Sequence, residues 1–110
     1  MQSPAIPQDV LFVNVGGCIY QTTRTTLCLG GAYWNAVVEH LRPEEKELFI
    51  DRDGTHFRYI LNFMRGSNVL PEDRTVIREL IVEAEYYAMP ALKQNAQMRL
   101  AHVATVSCVE

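Results

Sequence analysis

A chain of 110 residues with a formal net charge of -3 fits one domain, large enough to bury a real core. The acidic balance argues against a general affinity for nucleic acid or anionic membrane, partners usually met by a basic surface. No apolar run approaches the ~20 residues needed to cross a bilayer, and the opening MQSPAIPQD lacks the basic and apolar parts of a signal peptide, so the cytoplasm is the expected compartment.

The first nine residues contain Pro4 and Pro7 and read as a loose tail. VLFVNV at Val10 to Val15 is β-rich, Gly16-Gly17 is a turn signal, and CIYQT at Cys18 to Thr22 partly alternates, which predicts a β-hairpin. Asn14 interrupts the apolar strand either as an exposed edge position or as a subunit contact. The hydroxyls of Thr22 to Thr26 can cap a short helix before Gly30-Gly31. Tyr33, Trp34, Val37, Val38 and Leu41 fall along one helical stripe, and RPEEKE at Arg42 to Glu47 reads as a solvated loop.

Leu48 to Gly66 forms the hub of the chain. Leu48, Phe49 and Ile50 predict a buried strand that stops at Asp51-Arg52-Asp53-Gly54, where the Asp-Gly step suits a positive φ. Phe57, Ile60, Leu61 and Met64 then recur at helical spacing, with Thr55 as the expected N-cap and Gly66 just past the C-terminus. Asp73 is a cap for a helix whose apolar stripe runs through Val76, Ile77, Leu80, Ile81, Ala84 and Ala88. Pro90 ends it and opens another helix with a thin seam at Leu92, Ala96 and Leu100. From His102 to Val109 the alternation of Ala104, Val106 and Cys108 with Thr105 and Ser107 predicts a strand, the start of a following segment at 102–110.

No catalytic, cofactor or metal site is expected. Gly16-Gly17 lies in neither phosphate-loop motif, and the serines lack a nucleophile-elbow context. His102 and Cys108 supply two ligands where zinc wants three or four, with His40 and His56 at no ligand spacing from them. Cys18, Cys28 and Cys108, odd in number and unlike in spacing, give neither a disulfide framework nor a metal cage and read as buried free thiols. The Asp51, Arg52 and Asp53 turn is either plainly solvated or a reciprocal contact between identical subunits.

Four blocks, VNVGGCIYQTTRTTL at Val13 to Leu27, FIDRDGTHFRYILNFMR at Phe49 to Arg65, LPED at Leu70 to Asp73 and EAEYYAMPAL at Glu83 to Leu92, resemble the BTB/POZ fold in its potassium-channel-tetramerisation variety, most nearly the soluble KCTD family. The resemblance covers 10–101 and implies an α+β fold, a three-stranded sheet flanked by about five helices. It implies a homo-oligomer of four or five subunits and a substrate adaptor of a cullin-3 ubiquitin ligase, with the substrate held outside this domain. The alternatives are the cytoplasmic tetramerisation domain of a voltage-gated potassium channel, or an oligomeric scaffold that binds no cullin.

Carried onto this sequence, the family's polar ring contacts fall at Asn14, Arg24, Thr26, Asp51, Arg52, Asp53, Arg58 and Asn62. Such an interface would loosen with salt. The cullin-facing positions fall at Tyr33, Trp34, Glu39 and Leu41. Here the chain departs from its family, with CLGGAYWNAVVEHL where members carry a proline, a Ser-x-Leu and a Met-Phe pair.

Overall fold

The computed structural model describes the backbone of residues 9–109 and the side chains of 9–104. Strands β1 (Val10–Val15), β2 (Cys18–Thr23) and β3 (Glu47–Ile50) make one sheet in the order β2-β1-β3. β1 pairs antiparallel with β2 and parallel with β3. Helices α1 (Arg24–Cys28), α2 (Ala32–Glu39), α3 (Phe57–Met64), α4 (Arg74–Tyr86) and α5 (Pro90–Val109) complete the α+β architecture expected above.

Period-two alternation on β1 orients the sheet. Leu11, Val13 and Val15 are fully buried and meet Leu27, Phe57, Ile60 and Leu61, while Phe12 points away from them. Gly16 and Gly17 both have positive φ, 57° and 103°, as a two-residue hairpin turn requires. Asn14 lies on the central strand, not on an edge, and its Oδ1 accepts the Gly17 N–H at 2.8 Å, so it caps the hairpin turn.

The hub is a strand, a turn and a helix, with three differences in detail. β3 is an edge strand with one face on the core, so Ile50 is buried while Phe49 is turned outward; an apolar run cannot say which residue faces which way. Gly54 has no positive φ. It is required because a Cβ there would come within 2.3 Å of the Val15 carbonyl oxygen. Thr55 does not cap α3: its N–H and hydroxyl donate to Asp53 Oδ1 at 2.9 and 2.6 Å, a local turn that leaves His56 before the first helical residue.

Helix ends follow the sequence closely. The Thr23 hydroxyl caps α1 through Thr26 N–H, and Asp73 caps α4 through Val76 N–H at 3.1 Å. After α3, Gly66 at φ 92° donates to Phe63 and Ser67 to Asn62, the paired bonds of a left-handed helix stop. The same pair recurs after α4, where Ala88 donates to Glu85 and Met89 to Ala84, but the left-handed residue is an alanine at φ 54°. Pro90 then opens α5, which buries Leu92 and Ala96.

The strand expected from His102 to Val109 is absent, because α5 runs on to Val109. A helix already nucleated extends at little cost, and a short alternation interrupted by no glycine or proline cannot halt it. Cys18 is exposed and Cys28 half-buried, so the reading of buried thiols fails for these two. The side chain of Cys108 and the tail at residues 1–8 lie outside the described residues.

Candidate interaction surfaces

An aromatic cluster fixes α2 against α4. Trp34 stacks on Tyr87 with centroids 4.9 Å apart, meets Phe57 edge-on at 5.7 Å, and is covered by Tyr33 at 5.0 Å. Each such contact contributes about 0.5–1.5 kcal/mol beyond area burial. Trp34 is wholly inaccessible, so it cannot face a cullin; the stripe that put it on α2 is the inward stripe. Tyr33 is half-buried and touches Tyr86 and Tyr87. Burial, with the Tyr86 hydroxyl close by, pushes the Tyr33 phenol up to about 12, and burial raises Tyr87 further in the same direction.

The outer side of α2 and the start of β3 bound an open groove of about 420 Å³, lined by Tyr33, Ala36, Val37, Leu41 and Leu48, with His40 and Glu45 among its polar groups. Tyr33 and Leu41 are therefore on this surface, and Glu39 is exposed on the same helix. The loop below the groove is held by Arg24, whose Nη2 donates to the Arg42 carbonyl at 2.9 Å and to that of Glu45.

Most of the polar residues expected at subunit contacts have partners within their own chain. Arg24 holds that loop, Thr26 Oγ1 accepts from Thr23 Oγ1 at 3.0 Å, and Asn14 and Asp53 close turns. The Thr55 bonds hold the Asp53 carboxyl below its ordinary range. Arg52 donates from Nη2 and Nε to Glu83 at 2.6 and 3.2 Å and lies 4.1 Å over the Tyr86 ring. That fork raises the Arg52 guanidinium further and ties the Asp51 to Asp53 turn to α4. Beside it His56 Nε2 lies 2.6 Å from Glu79 Oε1. Asp51 and Arg58 remain exposed and Asn62 half-exposed.

Sequence reading gave Glu79 and Glu83 no role. Their spacing of four, with Tyr86 three further on, was the available sign that they share a face. It also missed the outward face of the sheet, where Phe12, Ile19 and Phe49 are all exposed. Among the described residues no group of three or more His, Cys, Asp or Glu could hold a metal ion, and no helix is long and apolar enough to cross a membrane.

Comparison with known proteins agrees with this architecture. The family model described as the BTB/POZ domain matches residues 11–96. The chain is 39% identical over 93 residues, 80% of its length and 29% of the relative's, to the BTB/POZ domain-containing adapter for CUL3-mediated RhoA degradation protein 2 of Xenopus laevis. It is likewise 39% identical over 95 residues, 81% of its length and 36% of the relative's, to the human BTB/POZ domain-containing protein KCTD21. The chain thus spans about a third of the length of the curated relatives it matches. With a hairpin, a parallel third strand and five helices in one continuous match, this chain belongs to the BTB/POZ domain family, in its KCTD form.

Proposed function

We propose that this domain is a self-associating protein-interaction module that serves as a substrate adaptor for a cullin-3 ubiquitin ligase in the cytoplasm. Its work is binding, and the substrate is held by parts of the protein outside this domain. The observation that carries the reading is the apolar groove beside α2, where Tyr33, Val37, Leu41 and Leu48 line a surface large enough for side chains of a partner helix. Support comes from the relative named as an adapter for CUL3-mediated RhoA degradation, which is 39% identical to this chain over 93 residues. Trp34 is buried on the inner side of α2, against Tyr33, and Glu39 is exposed on the same helix. Copies of the domain assemble into a ring of four or five, with Asp51, Arg58 and Asn62 as the polar groups still directed outward.

The test is a binding titration of the assembled protein against the cullin-3 N-terminal domain, alongside Val37→Arg. Saturable binding by the parent and at least a tenfold loss in the variant are expected, since a charge in an apolar contact costs more than 1.4 kcal/mol. No binding by an intact oligomer would leave a scaffold that recruits no ligase.

A further inference from the structure

The sheet has two edges, and the chain treats them differently. On β2 the Gln21 carbonyl points away from β1 and accepts from Arg65 Nη2 at 2.7 Å, which blunts that edge against an added strand. Among the described residues no side chain does the same for β3. The Phe12 N–H donates to the Lys46 carbonyl and the Gly16 N–H to that of Ile50, both at 2.9 Å, so the ladder with β1 uses Lys46, Leu48 and Ile50. Glu47 and Phe49 alternate with these, and their N–H and C=O groups therefore point away from the sheet, with no partner among the described residues.

Two further features define what fits this edge. The Glu47 carboxylate is exposed and makes no ion pair among the described residues, whereas Glu44 and Glu45 before it share Arg42. Leu48, between Glu47 and Phe49, faces the other way and lines the groove beside α2. A strand laid along β3 meets two orphaned main-chain pairs, an unpaired negative charge on one face and an apolar groove on the other. Antiparallel addition, the slightly more stable sense, sets the residues opposite Glu47 and Phe49 on the same face as those two side chains.

We infer that the free edge of β3 takes up an extended segment of a partner protein by antiparallel strand addition, with a lysine or arginine opposite Glu47 and an apolar residue beside Leu48. This goes beyond the adaptor reading, because it holds whether or not a cullin helix uses the groove. Main-chain bonds supply the affinity, and the alternation of basic and apolar side chains supplies the selection. A second copy of this chain is a poorer match for the edge. The outward positions of its own β3 and the residue just after are Glu47, Phe49 and Asp51, none of them basic.

Amide hydrogen exchange during titration with the capped peptide acetyl-Val-Thr-Val-Lys-Val-Thr-amide tests this on the full chain. The Glu47 and Phe49 amides should exchange freely in the protein alone and at least about tenfold more slowly with saturating peptide. Methylating the main-chain nitrogens of the peptide's threonines and lysine should weaken binding at least about tenfold, and methylating those of its valines should not. Glutamate in place of the peptide's lysine should weaken binding at least about threefold, and Glu47→Lys should reverse that preference. Phe49→Pro removes an outward donor without touching the ladder and should abolish binding; if it loses its fold, Glu47→Lys carries the test alone. Saturable binding that leaves both amides fast, or no binding up to about 2 mM peptide, would overturn the inference. So would amides already slow in dilute protein, which would mean that the chain covers its own edge, or amides that slow only as protein concentration rises, which would put a second copy there. The cullin-3 titration above is read separately, so the adaptor reading stands or falls on its own.

Discussion

Leu11 and Phe12 are neighbours in sequence and opposites in circumstance. Leu11 has no accessible surface and sits among Val13, Leu27 and Leu61, while Phe12 is outside on a face with Ile19 and Phe49. Asp51 and Arg52 repeat the contrast in charge: the aspartate is exposed, whereas the arginine forks onto Glu83 and lies over Tyr86. One residue step along an extended chain thus separates what holds the domain together from what it can offer to another molecule. Composition alone does not reveal that division, since both sides of the sheet are apolar.

Mutations in matched pairs can break the contrast. The largest effect is expected on α2, where Trp34→Ala should cost about 3–5 kcal/mol in urea unfolding and Val37→Ala well under 2. A Trp34 variant that stayed as stable as the parent yet lost partner binding would put that ring back on the surface. Leu11→Ala should cost about 2–5 kcal/mol and Phe12→Ala under about 1, measured at concentrations where the protein is monomeric. Equal costs would mean that the outer face is not free in the single subunit.

Next in size is the charged pair. Arg52→Ala leaves Glu83, whose side chain is only 14% accessible, without its fork, and should cost about 1–3 kcal/mol. Asp51→Asn should cost nothing measurable. Ala88→Gly should gain about 1 kcal/mol, because Ala88 is exposed and its left-handed φ of 54° penalises a Cβ. A loss instead would show that the alanine methyl makes a contact worth more than the strain.

The smallest effect is one of pH. A phenol kept neutral in the folded state adds stability that is complete below its unfolded value near 10 and is lost as pH rises toward the folded value, about 12 for Tyr33. Absorbance titration should therefore show Tyr33 and Tyr87 ionising late, together with unfolding, and stability falling between those limits. Ionisation of all tyrosines near pH 10 in a protein still folded would contradict the packing at α2 and α4.

The sequence was most legible where backbone chemistry is local. Gly16-Gly17, Thr23, Gly66, Asp73 and Pro90 each mark the turn or helix end that the chain makes, because each residue type satisfies a specific φ or an orphaned N–H. Side-chain direction was less legible. The run of Leu48, Phe49 and Ile50 reads as buried throughout, and only the position of β3 at a sheet edge exposes its middle residue. Helical spacing put Trp34 on the apolar stripe that packs inward, whereas its place among the cullin-facing positions came only from the family resemblance, which carries a position over without its side-chain direction. The 102–109 segment failed for a related reason: short alternation is weak against the momentum of a helix that began at Pro90.

For the candidate site, the polar residues were found in number but not in role. Arg52 and Glu83 are 31 positions apart in sequence, and nothing local signals that they meet. The groove beside α2 was half legible, since Tyr33 and Leu41 were named while Val37 was only a member of the stripe.

One contact between two turns has a mechanical consequence. A Cβ on Gly16 would lie 2.2 Å from the Arg52 carbonyl oxygen, and one on Gly54 would lie 2.3 Å from that of Val15, so the hairpin tip and the DRDG turn interlock main chain to main chain. The Arg52 side chain carries that interlock onward to Glu83. Strain applied at the tip of the first hairpin therefore passes to the DRDG turn through rigid peptide groups and reaches the fourth helix through the Arg52–Glu83 fork. A partner gripping one end of the domain would be felt at the other.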